Sequence, residues 1–375
     1  MERIKFINTE RIIWSCDDYG ITLHQLAEAT GIAAGTIDRL LDGMDGLTFQ
    51  QLRRIAKYFD RGVLFFLEQG GVDPAALYTP QFRTILNQIP DLDAKMRGLV
   101  QRVERQRETY LSLLEANSEE PTPFSPPAQL TPQEVRQWLQ VAGENTFDAY
   151  RRKVEAKGIL VFLTNGYAGK WQIPKSNPIS GFSMYYEVAP VIVVKKESDH
   201  RQTFTLMHEL GHVLLHRTSW IDESSDLYSY VGDEQEANAF AGQVLVTDAV
   251  VAAIDTGNRP DHVSDFDVWL EPTQNGIGVS VEVILRRLLD ANELTQEEYR
   301  AYREWKEQAF FVETAGGNRA YRYREPMHMF GDAYVRTVLD AIHAGEITLT
   351  KASNYLDSIK VTAIHELEQY AHAHV

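Results

Sequence analysis

Thr205-Leu206-Met207-His208-Glu209-Leu210-Gly211-His212-Val213-Leu214-Leu215-His216 is the stretch the rest of the chain must accommodate. It reads as one apolar helix carrying His-Glu-x-x-His. His208 and His212 are one turn apart, so both imidazoles leave the same face and can converge on one zinc ion. Glu209 follows the first histidine, which puts its carboxylate beside a zinc-bound water rather than on the metal. Leu206, Leu210, Val213 and Leu214 form the opposite stripe and would bury the helix in a core. Asp199 and Gln202 have the spacing of a capping box that would start it. An internal Gly211 costs about 1 kcal/mol unless something packs closely against it. Two histidines and a glutamate on an apolar helix are expensive without a shared partner.

A catalytic zinc takes three protein ligands and keeps a fourth position open. His216 does not fit as the third, because eight residues of helix put it about 12 Å from His208, too far for both to reach one ion. The next source is Asp233-Glu234-Gln235-Glu236-Ala237-Asn238-Ala239-Phe240-Ala241-Gly242-Gln243-Val244-Leu245, which reads as a second helix. Glu234 shares a face with Ala237, Asn238, Ala241 and Leu245, small enough to let this helix approach Gly211. Glu236 shares its face with Phe240 and Gln243. Helical spacing favours Glu234 as third ligand, with Glu236 as the alternative. Asn238 is a candidate to orient a histidine, and Tyr228, Tyr230 and Arg201 are candidates to stabilise an oxyanion.

The chain has 375 residues, enough for two or three domains, and a net charge of −16, which argues against a general polyanion binder. Its single cysteine, Cys16, excludes an intrachain disulfide and fits a reducing compartment. The charged start and the lack of a long apolar run argue against a secretory signal or membrane span, so a cytoplasmic location is expected.

Residues 1–70 read as short helices, Leu23–Gly31, Ile32–Gly43 and Leu47–Phe59, the first two joined by a tight Gly turn as in a helix-turn-helix. DNA contact is expected within residues 20–60, through the helix from about Ala33 to Leu41. That helix offers Arg39 but also Asp38 and Asp42, and residues 1–70 hold 8 Lys or Arg against 10 Asp or Glu. Phosphate contacts dominate DNA affinity and this balance does not favour them, so a bundle that only binds a partner or a second copy is the alternative.

Residues 71–130 read as a helical connector closed by a Pro-rich linker, Ser118–Pro127. Thr131-Pro132-Gln133-Glu134 starts a helix, and Phe147–Ala156 forms another. Strands follow at Gly158–Leu163, Ile179–Tyr186 and Ala189–Lys195. Helix, small sheet, then the His-Glu-x-x-His helix is the order of a zincin catalytic half, and Val191–Lys195 is the candidate edge strand to hold an extended peptide. The expected fold is α+β and mostly helical. An all-α helix-turn-helix domain (1–70) and a connector (71–130) precede a zincin-like domain with a small sheet (131–310) and a C-terminal helical region (311–375).

The run Phe204–His212, followed by Glu234-Gln235-Glu236-Ala237-Asn238-Ala239-Phe240-Ala241, resembles the ImmA/IrrE family of metallopeptidases over about residues 130–250. In that family the metal-binding glutamate stands four residues before the Asn, which carries over to Glu234. Relatives usually continue with Leu-Met-Pro, where this chain has Val244-Leu245-Val246-Thr247. The resemblance implies a zinc peptidase joined to an Xre-like helix-turn-helix, with His208, His212 and Glu234 on Zn2+ and Glu209 as the base. It implies a regulator that cleaves or binds one partner protein, a repressor or a toxin. An antitoxin or transcriptional regulator using the zincin-like unit as a scaffold is the alternative.

Overall fold

The computed structural model describes residues 3–4, 6–59, 61–73, 79–88, 92–166, 169–223, 232–308 and 319–373. The chain forms two compact units, Met1–Val103 and Glu104–Val375.

In the first unit a two-residue ladder pairs β1 (Arg3–Ile4) with β2 (Leu47–Thr48). Around it lie α1 (Thr9–Asp18), α2 (Leu23–Thr30), α3 (Ala34–Leu41) and α4 (Phe49–Tyr58). Thr22 and Thr48 start α2 and α4 through capping boxes with Gln25 and Gln51, each satisfying two otherwise orphaned N–H groups. Gly31 ends α2 in the left-handed region at φ 62, which a Cβ would oppose. Ile12, Leu26, Ile37, Leu52, Ile55 and Phe59 form one core. The sequence reading missed α1, whose apolar residues are interleaved with charges. α5 (Pro80–Gln88) follows, and the division between the units falls within α6 (Ala94–Ala116).

In the second unit α7 (Pro132–Leu139) and α8 (Phe147–Glu155) precede the sheet. Its strands are β3 (Leu160–Leu163), β4 (Ile179–Met184), β5 (Val191–Val194) and β6 (Trp220–Glu223), in the order β3-β5-β4-β6. β3 and β5 are parallel, and β4 is antiparallel to both neighbours. β5 is therefore interior, and Val191–Lys195 cannot be the peptide-holding edge expected of it. The edges are β3 and β6. β3 and β5 read as unbroken apolar runs because both faces are covered. Val161, Leu163, Ile192 and Val194 join Leu206, Met207 and Leu210 of the histidine helix in one core. On the other face Phe162 meets Phe330 and Tyr334 edge-on and Trp171 meets Phe330, at centroid separations of 4.9–6.0 Å.

Phe330 and Tyr334 belong to α15 (Glu325–His343), so the C-terminal region covers the sheet. Ahead of it in the chain come α9 (Asp199–Gly211), before β6, and then α10 (Gly232–Leu245), α11 (Asp248–Ala253), α12 (Phe266–Ile277), α13 (Val281–Asp290) and α14 (Gln296–Gln308). α15 breaks at Gly331, whose φ of 79 no other residue adopts cheaply. At the break a buried pair from α8 takes over the loose backbone groups. Arg151 donates to the carbonyls of His328 (2.7 Å) and Met329 (3.2 Å), and to that of Val161 on β3. Glu155, 3.1 Å from Arg151, accepts the Asp332 N–H at 3.2 Å. The Pro-rich segment also lies on this unit: Phe124 packs against the core beside Tyr185. Among the described residues no helix is long and apolar enough to cross a membrane.

Candidate metal centre

α9 starts at Asp199 after Ser198, which makes no side-chain cap. Gln202 Nε2 instead donates to Asp199 Oδ1 at 3.3 Å, so the expected capping box does not form. Leu206, Leu210, Val213 and Leu214 are buried in the core, as the stripe requires. His208, Glu209 and His212 are 0% exposed. The helix does not run on regularly to His216. Residues His212–His216 form a π turn, closed by Arg217 N–H donating to His212 O at 3.1 Å and ended by Arg217 at φ 51.

Such turns are frequent at functional sites because the extra residue re-aims side chains. Here it sets His216 Nδ1 2.9 Å from His212 Nδ1. With a proton on His212 Nδ1 donated to His216, His212 Nε2 presents a lone pair to the centre. This is how an outer partner fixes a ligand's tautomer. Glu236, largely exposed, lies 3.5 Å from His216 Nε2. Asn238, expected to orient a histidine, lines a cavity with Arg201, Phe204 and Glu282. Tyr228 and Tyr230 lie outside the described residues.

The Nε2 atoms of His208 and His212 are 3.1 Å apart. Glu234 reaches them at 3.3 and 3.5 Å. It does so because α10 packs against α9 at Gly211, where an added Cβ would sit 3.1 Å from Phe240 Cδ1 and 3.3 Å from Ala237 Cα. Glu236 points to the outside of the same helix. The residue that sequence reasoning missed is Asp222 on β6, 0% exposed, at 3.2 and 3.5 Å from the same two imidazoles. Ligand atoms of His208, His212, Asp222 and Glu234 all lie within 4.8 Å of one another. Nothing local distinguishes Asp222 from Glu223 or Asp226; strand register brings it in. Trp220, two residues earlier on the same face, stacks on His212 at 4.8 Å and 9° and donates its indole N–H to Glu234.

The set suits a divalent cation. Both oxygens of Asp222, both of Glu209 and one of Glu234 are buried without a hydrogen-bond partner of ordinary geometry among the described residues. Such carboxylates cost several kcal/mol each unless a cation compensates them. Spacings of 3.1–3.5 Å between the carboxylate oxygens and the two Nε2 atoms are short enough for donors that share one ion at the zinc–nitrogen and zinc–oxygen distance of about 2 Å.

Without a cation a proton takes its part. Burial works against a charged His208, but the Asp222 and Glu234 carboxylates outweigh it and raise His208 to about 10. Burial, with His208 and His216 adding to it, lowers His212 to about 3. Asp222 is buried too, yet His208 holds it well below the usual carboxylate range. Burial and the neighbouring Asp222 push Glu209 well above that range.

A small sheet backing a His-Glu-x-x-His helix, with a carboxylate returned from a following helix, defines a zincin-like metallopeptidase class. Residues 155–289 match the family model described as Peptidase_M78, IrrE N-terminal-like domain, and residues 15–61 match the Cro/C1-type HTH DNA-binding domain. Together these are the two parts of the ImmA/IrrE family with an N-terminal helix-turn-helix, as the motifs indicated. No curated protein matches the chain.

Proposed function

We propose that the chain is a zinc-dependent endopeptidase that cuts one regulatory partner protein, a repressor being the expected type. The observation that carries this reading is the convergence of His208, His212 and Glu234 at 3.1–3.5 Å with Glu209 buried beside them. Zinc is the ion that two imidazoles and a carboxylate in tetrahedral disposition suit. When bound it supplies a Lewis acid for the scissile carbonyl and acidifies a water toward neutral pH. Glu209 takes the proton of the attacking water and passes it to the leaving amine. His216 keeps His212 in the tautomer that ligates, and Trp220 steadies Glu234. The test is incubation of the zinc-loaded protein with repressors and small proteins encoded beside it. One of them should be cut, and Glu209→Gln should lose at least about 10²-fold in rate while keeping its zinc. Zinc-loaded protein that cuts none of them would refute the reading.

A second reading has its own support in the 0% exposure of His208, Glu209 and His212. In it the zincin-like unit is a scaffold that binds its partner, and the helix-turn-helix reads DNA. Asp38 and Arg39 are exposed on α3, but Arg39 lies 3.9 Å from Asp45, leaving little positive charge for phosphates. A gel shift on the protein's own promoter at low salt tests it, and no shift there removes the DNA part.

A further inference from the structure

We propose that Asp222 is a fourth metal ligand that closes the centre, and that it must leave the metal before a peptide can be cut. The inference rests on the metallopeptidase reading above and adds its regulation: the chain is latent until a partner draws Asp222 away.

Toward the histidine pair, Asp222 and Glu234 are equivalent. Asp222 stands 3.2 and 3.5 Å from the two Nε2 atoms, Glu234 3.3 and 3.5 Å. Geometry that makes one a ligand makes the other a ligand. Asp222 is also the more deeply buried, with both oxygens lacking a hydrogen-bond partner of ordinary geometry among the described residues. A divalent cation offsets the charges of the two carboxylates that face the imidazoles, which suits a site removed from water.

The fold makes room for this carboxylate. Asp222 lies directly opposite Gly181 of β4, next to an irregularity in the β4–β6 ladder. A Cβ at residue 181 would come within 2.7 Å of Glu209 Oε1. The missing side chain leaves the space in which Glu209 and Asp222 lie side by side. Asp222 thus fills the space between the base and the imidazoles, where an attacking water belongs. A tetrahedral site with four protein ligands is the closed, structural kind; hydrolysis requires an open position.

The segment that must give way is β6. It is an edge strand, paired only with β4 among the described residues, and it holds the centre by two side chains on one face, Trp220 and Asp222. A partner that draws β6 off the centre would free the fourth position and the space beside Glu209 together.

Cobalt(II) in place of zinc reports this directly, with acetohydroxamate as a probe for an exchangeable position. The full-length wild type should bind cobalt with a four-coordinate visible spectrum that acetohydroxamate leaves unchanged. Asp222→Asn and Asp222→Ala should gain a hydroxamate-dependent shift. They should also lose more than about 100-fold in cobalt affinity, beyond the 10–100-fold typical of groups that only orient a ligand. A wild-type spectrum that shifts with acetohydroxamate, or variants that keep wild-type affinity, would overturn the proposal. The wild-type titration decides alone if the variants do not fold. Failure of the underlying reading looks different: the wild type would then bind no cobalt or zinc, or, with zinc bound, neither it nor Asp222→Ala would cut any partner.

Discussion

The two edges of the four-stranded sheet are closed by different means. At β3 the closure is made of protein alone: Arg151 caps the Val161 carbonyl and the broken end of α15, and Glu155 caps the restart. At β6 the buried groups are two acids and two imidazoles whose mutual repulsion and desolvation only a cation or proton relieves. One edge is finished when the chain has folded. The other is conditional on a ligand. A sheet can thus be rigid on one side and responsive on the other without any change in its hydrogen-bond ladder.

The largest effect expected is at the finished edge. Gly331→Ala drives a methyl into Glu155 Oε1 at a backbone angle it resists. Strain and a disrupted buried pair sum to about 5 kcal/mol, read as a lower urea midpoint. Arg151→Met at pH 8 should cost about 4 kcal/mol, since it leaves Glu155 buried without its partner.

Chelating the metal tests the conditional edge. Removing a ligand present at 100 times its Kd costs about 3 kcal/mol, and hydrogen exchange should rise at β6 while β3 stays protected. Equal loosening of both edges would break the comparison. The finished edge has a pH dependence of its own. Burial outweighs Arg151 and pushes Glu155 from 4.5 up to about 7. Between those values the folded protein keeps a proton that the unfolded chain has lost. Stability therefore falls as pH rises through that window, by up to about 3 kcal/mol. Glu155→Gln should flatten the urea midpoint over the same range. The smallest effect is Trp220→Phe, which removes one hydrogen bond to Glu234 and should weaken zinc about fivefold, or about 1 kcal/mol.

What was legible in the sequence was what is local. His208 and His212 are set by one helical turn, and α2, α3 and α4 by apolar period and the turn at Gly31. Glu234 could be brought to the histidines because small residues on its own face imply a close helix pair. Asp222 could not, because its position depends on the β4–β6 register, which no spacing encodes. For the same reason β5 read as an edge: strand order is a long-range property. The π turn at His212–His216 left no mark in the apolar stripe, which continues through it. The covering role of α15 was hidden because Gly331 breaks the helix, and its loose ends are met by Arg151 and Glu155, more than 170 residues away in the chain.

Gly211 touches no cation, base or substrate, yet it acts as the gauge of the donor set. The gap between α9 and α10 is fixed there by a hydrogen atom where any other residue has carbon, with Phe240 and Ala237 against it. Glu234 is carried on the far side of that contact, so a methyl at 211 would add to the reach demanded of its carboxylate. Because zinc tolerates only tenths of an ångström in its bond lengths, the fit of an ion in this chain is calibrated at a position that never meets it.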